Sequence, residues 1–285
     1  MYLHYSGYQF FDLNDPRSIR DSILAKGKEL DIRGTLLMGE EGANIGISGL
    51  PENLKAFEDY LSQEFRFPKF IWKVSENPEH TYRRMLVKVK KEIVTTGYPD
   101  IRPDKFTGPY LPPAEFHDWL NNRNDFLLLD TRNDYEVRLG KFKGAKDLAV
   151  GSFKKFLEVV NEWTEEEKKK PVVTYCTGGI RCEKATAIML QKMGFEKVYQ
   201  LEGGIIKYLE EFGAGHFEGE CFVFDRRLGI NGELKATDVT MCYGCRGPLK
   251  PHDLLDPRYK QGIHCPYCFD KKQKAQADSA AVSEN

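Results

Sequence analysis

The chain has 285 residues and a formal net charge of −1, enough for two compact domains and a smaller appendage but too long for one core. Near-neutrality gives no global basic field, so a nucleic-acid site has to be a local patch. No apolar run approaches bilayer length and the first residues lack a signal peptide's charged start and apolar core.

Seven cysteines, four of them in paired short spacings, suit reactive and metal-binding thiols in a reducing compartment, so a cytoplasmic protein with no membrane partner is expected.

Residues 2–11 mix aromatics as an opening strand does, and Asp15-Pro16 starts a helix to about residue 29, with Ile19, Ile23 and Leu24 on one face. Strand character returns at 32–38, and the glycine-rich segment 39–49 turns into a second short strand. Leu50-Pro51-Glu52 opens a helix in which Leu54, Phe57, Tyr60 and Leu61 recur at helical spacing, before strands at 70–74 and 85–89. Short strands separated by two amphipathic helices predict a ferredoxin-like, acylphosphatase-like α+β sandwich over residues 1–95.

Two polar features stand out there. The acidic pair Glu40-Glu41 would repel RNA phosphate and reads as an ordinary turn, while Asn44 is able either to contact a base edge or to order its own loop. Arg83, Arg84, Lys88 and Lys90 surround an alternating strand that sends Lys88 and Lys90 to one face and Val87 and Val89 to the other. Such a row either follows a phosphate backbone or is the solvated face of a protected edge strand.

Glycines and prolines break all periodicity across residues 96–112, a linker laid against the surface. A helix restarts at 114–120 and opens a parallel-strand α/β domain over 113–214. Leu127-Leu128-Leu129 leads to Asp130 and Arg132, at a strand end where α/β folds gather functional groups. A buried pair that braces the loop and a direct role are both open for them, as for Glu136 and Arg138.

The chemistry concentrates in Val172-Val173-Thr174-Tyr175-Cys176-Thr177-Gly178-Gly179-Ile180-Arg181-Cys182, a β-branched run, a two-glycine loop and a helix with apolar residues at Ala185, Ile188, Met189 and Met193. The loop of Thr177, Gly178, Gly179 and Ile180 is able to aim its backbone N–H groups at one point, a cradle for an anion on the Cys176 sulfur. The helix start adds partial positive charge and Arg181 a fixed cation at the loop rim. Cys176 is therefore expected to be a thiolate in an anion cradle. Cys182 is either a resolving thiol for Cys176 or a core residue, the burial habits of free cysteine favouring the core, and Cys221 before an apolar run is expected to be structural.

The Cys176–Arg181 loop, the upstream Leu127–Glu136 stretch with Gly140 to Ala145, and the downstream Val198-Tyr199-Gln200-Leu201-Glu202-Gly203-Gly204-Ile205 together resemble the rhodanese superfamily, with Lys141 where many members carry histidine. Against the related phosphatases, the shorter Cys-to-Arg loop favours a sulfur-sized substituent over phosphate.

In the C-terminal segment, residues 215–270, Cys242-Tyr243-Gly244-Cys245 and Cys265-Pro266-Tyr267-Cys268 are two C-x-x-C knuckles spaced for one tetrahedral Zn²⁺, with His252 and His264 as less economical substitutes. Residues 271–285 are polar and expected to be disordered.

The whole arrangement resembles the bacterial tRNA uridine hydroxylase family over residues 1–270, on Arg33-Gly34-Thr35-Leu36, Gly42-Ala43-Asn44-Ile45-Gly46, the Cys176 loop and the knuckles. The resemblance implies oxygen-dependent conversion of the wobble uridine, position 34, to 5-hydroxyuridine, with molecular oxygen as co-substrate and the tRNA anticodon loop, not DNA, as partner. The sequence carries no flavin or nicotinamide fingerprint and no two-histidine, one-carboxylate iron motif, and it names no electron donor. Addition of the Cys176 thiolate to uracil C6 would make C5 electron-rich enough to capture oxygen. A persulfide-based sulfurtransferase acting on a small acceptor or on tRNA is the competing reading, and a non-catalytic binding module a third.

Overall fold

A computed structural model describes residues 1–273. The N-terminal part runs β1 (Tyr2–Phe10), α1 (Pro16–Glu29), β2 (Arg33–Gly39), β3 (Gly42–Gly49), α2 (Pro51–Phe65), β4 (Lys73–Asn77) and β5 (Met85–Val89). The sheet order is β4-β1-β3-β2-β5. Its first four strands are antiparallel neighbours, the ferredoxin-like arrangement, and β5 adds an edge strand parallel to β2.

Asp15 accepts a hydrogen bond from the Ser18 amide at the start of α1, whose first residue is Pro16, so cap and fixed φ both favour the helix beginning there. Because strand side chains alternate, Leu36, Ile45, Ile47 and Val87 meet Ile23, Leu54 and Phe57 of the helices in one core. Ser6, Tyr8, Thr35, Leu37 and Asn44, on the opposite sheet face, carry no helix among the described residues and line a cavity instead.

Two boundaries move from expectation. The expected strand at 70–74 begins only at Lys73, because Phe70 and Trp72 stack with ring centroids 4.9 Å apart and close the end of the core. β3 starts already at Gly42, directly opposite Gly39. Gly42 has φ 138°, and a Cβ there would lie 2.2 Å from the Gln9 carbonyl oxygen, so no other residue fits between β1 and β2.

The central part runs β6 (Tyr110–Leu111), α3 (Pro113–Asn122), β7 (Leu127–Asp130), α4 (Asp134–Leu139), β8 (Gly140–Phe142), α5 (Phe153–Asn161), α6 (Glu165–Lys169), β9 (Val172–Tyr175), α7 (Ile180–Lys192), β10 (Val198–Leu201) and α8 (Gly204–Phe212). A parallel four-stranded sheet has the order β6-β10-β9-β7, so the end of the linker is itself an edge strand. β9 is buried throughout: Val172 packs with Phe156 and Ile188 on one side and Val173 with Phe142 and Tyr208 on the other. A strand covered on both faces reads in sequence as a continuous apolar run.

β11 (Phe217–Gly219) pairs with β8, β12 (Cys221–Phe222) with β13 (Gly229–Ile230), and β14 (Thr240–Met241) with β15 (Pro248–Leu249) around the cysteine knuckles. Disorder was expected from residue 271, but a helical turn continues there, with the Lys272 amide donating to the Cys268 carbonyl. The rest of the expected disordered tail lies outside the described residues. Among the described residues no helix is long and apolar enough to cross a membrane.

A candidate active site between the domains

Cys176 follows the last residue of β9 and is 1% exposed. The Gly179 amide donates to its Sγ at 3.0 Å from a backbone at φ 107°, just before α7 begins. Burial pushes this thiol up, but the Cys182 thiol, the Arg181 charge and the amides of Arg181 and Gly179 outweigh it and hold Cys176 well below the ordinary thiol range. Burial and that same neighbour push Cys182 well above its ordinary value, which makes it the protonated member of the pair.

The amides that reach the sulfur itself are those of Gly179 and Arg181. Thr177 Oγ1 donates to the Phe222 carbonyl at 3.4 Å, the Gly178 carbonyl accepts from Lys73 at 3.1 Å, and Ile180 lines the cavity above the sulfur. Amides at the start of α8 bind the loop from behind, Ile205 to the Cys176 carbonyl at 2.9 Å and Ile206 to that of Thr177 at 3.1 Å.

Arg181, expected as a fixed cation at the loop rim, is buried and held by a carboxylate. Its two terminal nitrogens donate to the two carboxylate oxygens of Glu136 at 2.6 and 2.7 Å, because a guanidinium taken out of water at the start of α7 requires a paired carboxylate. Glu136 in turn belongs to the capping box of α4. Asp130 and Arg132 form a fully buried pair, with Arg132 also donating to the Gly140 carbonyl at 2.7 Å, so they brace the strand end. Arg138 lies 3.5 Å from the Tyr267 ring centroid and ties α4 to the knuckles. Cys182 and Cys221 are both buried, and burial pushes Cys221 up to about 12.

The sulfur opens into a cavity of about 660 Å³ that no single domain encloses. One wall is the helix-free sheet face of the N-terminal part, with Tyr8, Asn44, Lys73 and Lys88. A second is the Cys176 loop, and a third is the Val223–Arg227 stretch after β12. Phe224 is 62% exposed, with the Arg181 guanidinium 6.0 Å from its ring centroid.

Long-range contacts hold the walls together. Tyr8 donates to Glu183 at 2.7 Å. The buried Lys184 ammonium of α7 pairs with Glu41 at 2.5 Å and Glu92 at 3.4 Å. Glu40 and Glu41 do form the expected turn, between β2 and β3, and Glu41 in addition supplies the carboxylate that an ammonium buried at the domain junction needs. Arg227 forks Asp225 and reaches Ser75 at 2.8 Å, and His4 meets Asp225 at 3.6 Å and Thr81 at 2.9 Å.

Of the basic residues singled out on and beside β5, only Lys88 lines this cavity; Arg83, Arg84 and Lys90 are exposed, and Arg84 borders a separate groove with Lys28 and Arg33. Sequence reasoning did not find Tyr8, Lys73, Glu183 or Lys184. The available signal was a lysine breaking the apolar stretch 70–74.

The four knuckle cysteines place their Sγ atoms within 4.8 Å of one another, with Cys245–Cys265 and Cys265–Cys268 both at 3.7 Å. Tetrahedral thiolates at a metal–sulfur distance of about 2.3 Å stand about 3.8 Å apart, so the group fits a metal ion. The histidines considered as substitutes are used elsewhere: His264 Nδ1 contacts the Arg258 carbonyl at 2.7 Å, and the exposed His252 faces Asp253 at 3.6 Å.

Residues 2–93 match the family described as UPF0176 acylphosphatase like domain, and residues 112–211 match the Rhodanese-like domain family. The chain is 40% identical over 275 residues to the tRNA uridine(34) hydroxylase of Ralstonia nicotianae, covering 95% of this chain and 97% of that protein. It is 40% identical over 277 residues to the protein of that name from Cupriavidus necator, covering 95% and 98%. With the Picosynechococcus sp. protein of the same name the identity is 41% over 265 residues, covering 92% and 88%.

Proposed function

The chain belongs to the tRNA uridine(34) hydroxylase family, and from that premise we propose that it converts the wobble uridine of tRNA anticodons to 5-hydroxyuridine, with molecular oxygen as co-substrate and Cys176 as nucleophile. The observation that carries the proposal is the sulfur held by the Gly179 amide at 3.0 Å and open to a cavity framed by three parts of the chain. An anticodon-loop base is nearly single-stranded, so turning it into such a cavity costs little unstacking.

Thiolate addition to C6 makes C5 the nucleophilic carbon that captures oxygen. Loss of the C5 proton and of the sulfur then restores the ring double bond. One oxygen atom stays on C5 and the other leaves as water, so the stoichiometry draws two electrons and two protons from an external reductant. Gly179 and Arg181 hold the thiolate, with Glu136 fixing Arg181, and Asp130 with Arg132 supports the strand end. Phe224 offers an exposed ring for base stacking. Lys88, with Arg83, Arg84 and Lys90 further out, follows the phosphate backbone.

In this reading residues 1–95 and 113–214 form two walls, 96–112 spans them, and 215–270 closes the third side. Cys242, Cys245, Cys265 and Cys268 would hold Zn²⁺, which supplies folding energy to a segment with little apolar core. Action on tRNA sets the expected compartment as the cytoplasm.

The test incubates purified protein with unmodified tRNA, oxygen and a reductant and analyses nucleosides by mass spectrometry. Production of 5-hydroxyuridine at position 34, reduced to background in Cys176→Ser, is the expected result. A serine variant working at the wild-type rate, or sulfur transfer from thiosulfate without hydroxylation, would contradict it.

A further inference from the structure

The cavity wall carries an ammonium to which the scheme above gives no task. Lys73, on β4, donates from Nζ to the Gly178 carbonyl at 3.1 Å and stands 5.8 Å from the Tyr8 ring centroid. The other cations lining the cavity are neutralised or wet: Arg181 is forked by Glu136 and Arg227 by Asp225, while Lys88 and Lys154 are exposed. Among the described residues no carboxylate lies within ion-pair distance of Lys73; burial lowers its ammonium's pKa, and the Cys176 sulfur, Glu210 and Glu183 favour the charge from further away. An ammonium has three N–H donors, and the Gly178 carbonyl uses one. The others have no protein acceptor among the described residues, and Lys73 lines the same cavity as Cys176.

Electrostatics gives that position a use. The loop amides and Arg181 stabilise charge on sulfur, which favours the reactant thiolate and by itself opposes its addition. A cation beside the sulfur that also reaches the far oxygen of the base follows the charge as it leaves sulfur and offsets that bias in the transition state, where stabilisation accelerates reaction.

We propose that Lys73 is a catalytic residue of the hydroxylation, its ammonium hydrogen-bonding the uracil O4 on which negative charge gathers when the Cys176 thiolate adds to C6, an inference that rests on the hydroxylase reading. The Sγ–C6 bond forms as the C5=C6 π pair shifts toward C4 and onto O4, so the charge leaves sulfur and arrives at the ammonium with no oxidant and no proton transfer. A backbone phosphate shares this anionic-oxygen chemistry. Contact with Gly178, two residues from the nucleophile, places Lys73 beside the sulfur, whereas phosphates track the wet mouth of the cavity where Lys88 lies.

The experiment compares Lys73→Gln, which retains an N–H donor for Gly178 without the charge, and Lys73→Arg with wild-type full-length protein. Three readouts are taken: single-turnover hydroxylation at saturating tRNA, tRNA affinity against salt, and alkylation of Cys176 by iodoacetamide in the free protein. Lys73→Gln is expected to slow the single turnover by roughly 100-fold or more, as for loss of one oxyanion donor. Its tRNA affinity should stay within about twofold and Lys73→Arg within about tenfold of wild type, both small beside that electrostatic loss.

An unchanged single-turnover rate overturns the inference. So does weaker, less salt-dependent binding with the saturated rate intact, which makes Lys73 a phosphate contact. Loss of Cys176 alkylation in step with the rate overturns it too, since Lys73 would then only shape the loop. Cys176→Ser and the wild type run alongside: a wild type that makes no 5-hydroxyuridine ends the hydroxylase reading, a serine variant that works at the wild-type rate ends the nucleophile role of Cys176, and an inactive serine variant beside a fully active Lys73→Gln removes the Lys73 inference alone.

Discussion

The molecule treats sulfur in two opposite ways. The knuckle site draws all four thiols from 27 consecutive residues, Cys242 to Cys268, and closes on itself. The Cys176 site sets one nearly buried cysteine in the wall of a cavity and takes its supports from Glu136 of α4, Lys73 and Tyr8 of the N-terminal sheet and Phe222 after the central domain. A closed site stabilises the chain around it. An open one has to be stabilised by everything else.

The widest separation between the two sites is expected from removing their sulfurs. Cys176→Ser should reduce hydroxylation to background, a loss of roughly 1,000-fold or more for a deleted nucleophile, with the melting temperature little changed. Chelation, or Cys265→Ala, should do the reverse. Zinc-finger peptides gain about 10–16 kcal/mol from the metal, so limited proteolysis should open the 240–270 stretch first while residues 1–214 stay folded.

Next comes the carboxylate behind the open site. Glu136→Gln leaves the Arg181 charge buried without its partner and should destabilise the fold by about 3–5 kcal/mol in denaturant titrations, with a loss of Cys176 reactivity that no knuckle substitution reproduces.

The smallest effect is the pH response of the joint between sheet and third wall. Burial chiefly lowers His4 from 6.5 to about 4. The unfolded chain therefore binds the extra proton first, so this contribution is complete above pH 6.5 and is lost as the pH falls toward 4, an effect of about 3 kcal/mol. Cys176 has the same sign at higher pH: with its native value depressed, its contribution is complete above the ordinary thiol range and declines as the pH falls from there. His4→Asn should flatten the stability change between pH 6.5 and 4 and leave Cys176 alkylation against pH unchanged.

What could be read from the sequence follows the same division. The knuckles, the glycine loop and the alternation of Lys88 against Val87 are encoded within a few residues each, and the geometry keeps them. The burial of Arg181 was not legible, because Glu136 is 45 positions away and sequence spacing does not say which way a guanidinium turns. Glu41 lies in the turn its surroundings indicate, but its pairing with Lys184, on a helix of the other domain, was not legible. Lys73 broke an apolar stretch, which marks a charge facing something other than the core. Its partner carbonyl is 105 positions away, where no local pattern reaches.

The most direct measurement on the central claim is peptide mapping, by mass spectrometry, of full-length protein incubated with tRNA bearing 5-fluorouridine at position 34. A stalled covalent adduct on Cys176, absent from Cys176→Ser, is the predicted result. Protein that hydroxylates ordinary tRNA yet forms no adduct, or forms one on another residue, would contradict addition of this sulfur to the base.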